Sequence, residues 1–170
     1  MRHVTIVVYA TFVLLFACSA MAQSSSTQLC VANMQSVNAG PNPAGRDALM
    51  KFLSKEKDKS VAEDVPLDAS EPGQALQQAK SRNCDYLITT NQTESHQENS
   101  IMNTSGPFGQ TSTPTFYVTT AYKLIRVSDG SEVTGGTVKA GDHDSEQAAV
   151  SITMHKIADK VTQAIKKAGH

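Results

Sequence analysis

The most regular alternation of apolar and polar residues runs from residue 115 to residue 127. Successive side chains of a strand point to opposite faces, so this pattern predicts a strand with one apolar face. That face carries Phe116, Val118, Tyr122 and Leu124. The Asp-Gly pair at 129–130 favours a tight reversal, because it tolerates the positive backbone angles of such a turn. A returning antiparallel strand is therefore predicted over residues 133–140.

Shorter apolar runs predict further strands, and stretches of helical periodicity predict helices. The strands are expected over residues 29–34, 61–67 and 85–93. The helices are expected over residues 44–54, from residue 70 to about residue 81, and from Asp144 or Ser145 to the end of the chain. Asn42 followed by Pro43 favours the start of the first helix, as a cap and a first-turn proline.

Strands and helices alternate along the chain, and this order predicts an α/β fold. We expect a mixed sheet of about five strands covered by three helices, in a two-layer or three-layer sandwich. A chain of 170 residues has room for one ordinary domain, which we place at residues 29–169. The Ser-rich residues 23–28 are predicted to form a flexible leader.

Residues 94–113 change in composition to Ser, Thr, Asn, Gln, Gly and Pro. Without apolar periodicity, this stretch is predicted to be a long polar loop, and long loops in small domains are often functional. Its large apolar residues are Ile101, Met102 and Phe108. We expect these three side chains to be candidate contacts for a partner.

The amino terminus has the pattern of a secretory signal, with Arg2 and His3 before an apolar run and small residues after it. Ala20-Met21-Ala22 suits signal peptidase I, so residues 1–22 are expected to be removed before Gln23. In the alternative, residues 15–18 form a lipobox and Cys18 is acylated as the first mature residue. A lipid on Cys18 would then be the protein's connection to a membrane.

The remaining cysteines are Cys30 and Cys84. In an oxidising compartment such a pair favours a disulfide over two free thiols. If the strands that start near these residues are parallel neighbours, both cysteines lie at the same end of adjacent strands and can be bridged without distortion. The absence of a Cys-x-x-Cys sequence gives a redox catalyst or a zinc site no support.

Charge argues against nucleic acid as a partner. The chain has 15 Lys and Arg against 16 Asp and Glu, a formal net charge of −1. Nucleic-acid binding relies on a positive surface that attracts the phosphate backbone, and this balance does not supply one.

The histidines are the main candidates for metal or acid–base chemistry. Asp142-His143-Asp144 directly precedes the last predicted helix, where acidic residues usually cap the helix and complement its dipole. His96 lies in the polar stretch and His155 on the last helix. No nucleophile elbow, Walker sequence or dinucleotide fingerprint is present in the sequence. No cofactor is expected.

Three stretches resemble a known group of bacterial domains. The likeness lies in residues 79–88 (Ala-Lys-Ser-Arg-Asn-Cys-Asp-Tyr-Leu-Ile), in residues 122–133 with the Asp-Gly turn, and in the Ala-rich last helix. They are similar to the periplasmic domain shared by curli-secretion lipoproteins (CsgG-like), the amino-terminal domain of TolB-type proteins and penicillin-binding-protein activator lipoproteins. Asn83 and Cys84 stand where that family usually has Gly-Ala, and residues 34–45 lack its usual strand ending.

The resemblance implies an envelope-associated interaction domain and brings no catalytic residue with it. We therefore expect an exported interaction or assembly module without enzymatic activity, periplasmic or secreted, or tethered to the outer membrane through Cys18. Its expected partner is an envelope protein. The alternative is a small secreted hydrolase or metal-binding protein that uses His96 or His143.

Overall fold

The computed structural model describes residues 27–37, 40–55, 64–103 and 110–168. The predicted signal over residues 1–22, Cys18 within it, and His170 lie outside these residues. The strands are β1 (Leu29–Val31), β2 (Met34–Ser36), β3 (Gly40–Asn42), β4 (Asp64–Pro66), β5 (Tyr86–Asn103), β6 (Gln110–Arg126) and β7 (Glu132–Asp142). The helices are α1 (Pro43–Lys55), α2 (Pro72–Ser81) and α3 (Glu146–Ala168).

All seven strands belong to one mixed sheet with β5 near its centre. One edge of β5 pairs in parallel with β1 along its first residues and with β2 at Asn91. Its other edge pairs antiparallel with β6, which in turn pairs antiparallel with β7. β4 and β3 extend the sheet beyond β1 and β2. The predicted mixed α/β sheet is confirmed, with seven strands where about five were expected.

Two separate clusters of buried residues lie on opposite faces of the sheet, so the domain has three layers. On one face α1 and α3 cover the larger cluster, which includes Leu29, Ile88 and Leu124. On the other face α2 covers a smaller cluster, which includes Cys30 and Leu87. Neighbouring residues such as Leu87 and Ile88 belong to different clusters because strand side chains alternate in direction.

The predicted disulfide between Cys30 and Cys84 is present. Cys30 lies in β1 and Cys84 immediately before β5, and these two strands are parallel neighbours with Leu29 opposite Tyr86. Both predictions, the bond and the parallel placement, are therefore confirmed. The bond ties the end of α2 to the first strand of the sheet.

Local hydrogen bonds fix the starts of α1 and α3. Asn42 caps α1, since its Oδ1 accepts a hydrogen bond from the backbone N–H of Gly45 at 3.1 Å. Ser145 caps α3, since its Oγ accepts from the N–H of Ala148 at 3.0 Å. Of the two predicted caps for α3, Ser145 is the one used.

The prediction of a long loop over residues 94–113 is wrong. Residues 94–103 continue β5 and residues 110–113 begin β6, and the two strands pair in register from Glu94–Thr119 to Asn103–Gln110. Residues 104–109 of the predicted loop, with Phe108, lie outside the described residues. Residues 94–103 form a strand because β6 supplies a backbone partner for each of them, which local composition does not reveal.

Three helices fall within the described ranges, and none of them is both long enough and apolar enough to cross a membrane.

Candidate interaction surface

The side of the sheet that carries α2 is only partly covered, because α2 has ten residues while β5 and β6 have 18 and 17. Beyond α2, the side chains of β5, β6 and β7 on this side are exposed or half-buried, except for the buried Thr115. We call them the open face. Its members are Thr89, Asn91, Glu94, His96, Glu98, Tyr117, Thr119, Ala121, Lys123, Thr137 and Lys139.

The same strands are buried on their opposite side. Thr90, Thr120 and Val138 point toward α1 and α3 and are at most 5% exposed. Within the described residues, no helix or strand covers the open face, which is lined mainly by polar side chains over a well-packed core. Mixed polar and aromatic surfaces of this kind suit protein partners better than they suit a buried small-molecule site.

A cavity of about 380 Å³ lies where the open face meets the start of α2. Ser70 and Pro72 form one wall, and strand residues such as Thr89, Ala121 and Thr137 form its floor. At its rim the Lys123 Nζ pairs with Glu132 Oε2 at 3.1 Å. The cavity carries threonine side chains and one ion pair but no histidine or cysteine.

Tyr117 is the aromatic centre of the open face. Its ring stacks on His96 with ring centroids 5.3 Å apart, and the Nζ of Lys139 lies 5.1 Å from its centroid. On β7, Gly141 makes room for the ring, since a Cβ atom built there would lie 2.7 Å from it. The three side chains therefore form one packed patch that crosses β5, β6 and β7.

His96 also lies between two carboxylates on its own strand. Its Nδ1 is 3.5 Å from Glu94 Oε1, and its Nε2 is 3.2 Å from Glu98 Oε1. Because the carboxylates approach opposite ring nitrogens, they do not converge with one nitrogen on a single ion, as metal coordination requires. Within the described residues no group of three His, Cys, Asp or Glu side chains is arranged to hold a metal ion.

His143 and His155 have structural surroundings. The Nδ1 of His143 lies 3.0 Å from Thr115 Oγ1 and 3.3 Å from the carbonyl oxygen of Pro114. The His155 ring stacks on Phe52 of α1, with centroids 4.7 Å apart. The described contacts of His143 are with a hydroxyl and a backbone carbonyl. Those of His155 are with Phe52 and, at 4.0 Å, with the Asp159 carboxylate. A hydroxyl, an imidazole and a carboxylate therefore do not meet in the described contacts of either histidine.

The far ends of β5 and β6 extend beyond the strands on either side. β2 pairs with β5 only at Asn91, and the pairing of β7 with β6 ends at Phe116. We call residues 93–103 and 110–115 the arm. Of the three predicted contact residues, Ile101 and Met102 lie in the β5 strand of the arm, near its tip. Apolar periodicity does not indicate the arm or the open face, because polar side chains outnumber apolar ones in both.

This architecture places the protein in the class of three-layer α/β domains with a mixed sheet, here of seven strands. No family model matches the sequence, and no curated protein matches it. Solved structures do share the fold. A leucine-to-methionine variant of the PelC dodecamer from Paraburkholderia phytofirmans aligns with a TM-score of 0.52 and 18% identity, over 78% of this chain and 85% of that one.

The unsubstituted PelC dodecamer aligns with a TM-score of 0.50 and 15% identity, over 78% of this chain and 86% of that one. The hypothetical protein CT253 from Chlamydia trachomatis aligns with a TM-score of 0.50 and 6% identity, over 82% of this chain and 98% of that one. At these identities the likeness shows a shared fold.

Proposed function

We propose that this protein is a non-catalytic assembly module of the bacterial cell envelope that contacts protein partners through its open face and arm. The observation that carries the proposal is the uncovered half of the sheet: a polar layer with an aromatic centre, continued by a hairpin that extends past its neighbours. Loops and edges held by a rigid scaffold are where binding residues concentrate.

Export supports the envelope location. The predicted signal over residues 1–22 would deliver the chain to an oxidising compartment, and the Cys30–Cys84 bond is of the kind that persists there. The exported protein would be periplasmic or secreted, or held at the outer membrane by a lipid on Cys18. PelC, which shares the fold, forms a dodecamer, and this supports a role in assembly in which other copies of the chain are among the partners.

Site-specific photo-crosslinking in living cells tests the proposal. A photoreactive amino acid is placed at Thr137 or Glu98, both exposed on the open face, and as matched controls at Lys156 or Gln163, both exposed on α3. The full chain is expressed in its native host, irradiated and recovered from the envelope fraction. We expect protein crosslinks from the two open-face positions and at least tenfold fewer from α3. Equal crosslinking from both sides, or none from the open face, would contradict the proposal.

The alternative is a hydrolase or metal-binding protein that uses His96 or His143. The placement of His96 between two carboxylates is the observation that favours it. We expect His143→Ala and His155→Ala, neither of which belongs to the open face as defined above, each to leave the function and the crosslinks intact. If one of these variants lost function while its fold and its crosslinks were retained, the assembly-module proposal would be wrong and the enzyme alternative would be favoured.

A further inference from the structure

We propose that copies of this chain join by sheet continuation, with the arm edge of β5 in one copy paired to the outer edge of β7 in the next. This rests on the proposed function and names one of its partners, a second copy of the chain. The edges concerned are residues 93–103 of β5 and residues 132–142 of β7.

Both edges lack a partner strand within the described part of the chain. β5 has β6 on one side, but its other side meets β2 only at Asn91, so residues 93–103 present unpaired backbone groups. β7 pairs with β6 on one side, and no described strand lies on the other. Unpaired edges of similar length are templates for strand addition, since each added residue satisfies backbone hydrogen bonds.

The charges on the two edges differ in sign on the open face. The arm edge carries the exposed carboxylates Glu94 and Glu98 on either side of His96. On β7, Glu132 is already paired with Lys123, which leaves Lys139 as the unbalanced charge of that strand on this face. Opposite charges across a strand pair stabilise it and like charges destabilise it.

These charges favour a head-to-tail contact over a symmetric one. An arm edge paired with a second arm edge would bring carboxylates against carboxylates, and two β7 edges would bring Lys139 toward its own copy. An arm edge paired with β7 brings Glu94 and Glu98 near Lys139 of the neighbouring copy. Head-to-tail contacts generate rings when the rotation closes and filaments when it does not.

A charge exchange between two variants tests this arrangement. The exported protein is purified with its disulfide intact, and its mass is followed by sedimentation velocity over a range of concentrations. We expect wild-type protein to form oligomers larger than dimers. The first variant is Lys139→Glu, and the second combines Glu94→Lys with Glu98→Lys. Each should raise the concentration needed for association about tenfold, because like charges then oppose each other across the contact. Lys156→Glu on α3 is the matched control and should associate like wild type.

The decisive step is to mix the two variants. In a head-to-tail chain of alternating copies, every contact then joins opposite charges, so the mixture should associate near the wild-type concentration although neither variant does so alone. A single symmetric contact in the mixture would also join opposite charges, but it would stop at a pair of copies, whereas the head-to-tail mixture should form oligomers larger than dimers. A wild-type protein that stays monomeric, or a mixture that stays as weak as its components, would overturn the inference. Envelope crosslinks from Thr137 to other proteins would persist in that event, which separates this failure from failure of the proposed function.

Discussion

Asn83 occupies the left-handed region of backbone conformation, with φ of 55°, directly after α2. Two hydrogen bonds close the helix there, from the N–H of Asn83 to the carbonyl of Lys80 and from the N–H of Cys84 to that of Ala79. This is the Schellman arrangement, which glycine usually completes and asparagine tolerates. The turn sets the position from which Cys84 reaches Cys30, so one residue's backbone links helix, disulfide and sheet.

Substitutions at Asn83 should follow from this conformation. Asn83→Ala is expected to lower the free energy of unfolding by about 1 kcal/mol, because a Cβ without a local hydrogen-bonding group is disfavoured in the left-handed region. Asn83→Gly is the matched control and should be as stable as wild type or more so. Urea unfolding of the oxidised protein measures both. Equal loss of stability in the two variants would mean that the turn is not the cause.

Asp129 gives the β6–β7 turn a dependence on pH. The Ser131 hydroxyl donates a hydrogen bond to its carboxylate at 2.7 Å and the Ser131 backbone N–H donates another at 2.9 Å. These bonds, together with the nearby Arg126, hold the pKa of Asp129 below its ordinary value of 3.8.

A lowered pKa in the folded state means that the carboxylate contributes stability above its unfolded pKa, and that this contribution is lost as pH falls through the folded value. Asp129→Asn keeps the shape of the side chain but removes the charge. We expect the melting temperature of wild type to fall further than that of Asp129→Asn when pH is lowered from 6 to below about 3. Melting curves measured across this range would contradict the assignment if the two proteins changed in parallel.

At the scale of elements, the arm is a hairpin whose β5 strand has one paired edge. In an antiparallel pair, alternate residues direct their N–H groups toward the partner strand and the others away from it. The residues of β5 beyond Asn91 therefore have amides that alternate between bonding to β6 and facing the open edge.

Amide hydrogen exchange resolved by residue should show this alternation. In dilute protein we expect protected and fast-exchanging amides to alternate along residues 94–103. Only the amides that are hydrogen-bonded to β6 are protected, because they exchange when the two strands separate. At concentrations where copies associate, the fast set should become protected as well. Uniformly fast exchange along residues 94–103 at all concentrations would contradict the hairpin.

The elements with strong apolar periodicity could be predicted from the sequence. α1 was expected over residues 44–54 and spans Pro43–Lys55, and all but the last residue of the strand expected over residues 115–127 lies in β6, which ends at Arg126. The disulfide was predicted from the count of cysteines in a chain that is expected to be exported. In each case the signal lies in residues that are themselves buried or bonded.

The arm and β3 could not be predicted, because neither has a local signal. Residues 94–103 form a strand through pairing with β6, although their side chains are polar. Gly40-Pro41-Asn42 has the composition of a turn but pairs with β2 at the edge of the sheet, where proline is tolerated. The open face depends on the length of α2 relative to the strands beneath it, which only the folded chain reveals.

At the scale of the whole molecule, the packed cores and the proposed contact segment are separated in space. The cores on the two sides of the sheet are built from β1, the first part of β5, most of β6 and the three helices. The arm extends beyond both cores. It can therefore change without unpacking them, which is the property expected of a segment used for contact and not for folding.

Shortening the arm measures whether this segment carries the contact with envelope partners. Deleting residues 101–109 leaves Ser100 paired with Thr113 and closes the hairpin with a three-residue loop, a common hairpin length. A full-length companion, Ile101→Ser with Met102→Ser and Phe108→Ser, keeps the backbone and removes only the apolar side chains. The amount of partner that each variant captures from the native envelope is compared with wild type by quantitative mass spectrometry. The melting temperatures of the variants and of wild type are measured as well.

We expect the shortened protein to melt within a few degrees of wild type, because no core residue is removed, and its capture of envelope partners to fall at least tenfold. The serine variant should lose capture as well if these side chains make the contact. Undiminished capture by the shortened protein, with the fold intact, would contradict the claim that this molecule works through its arm.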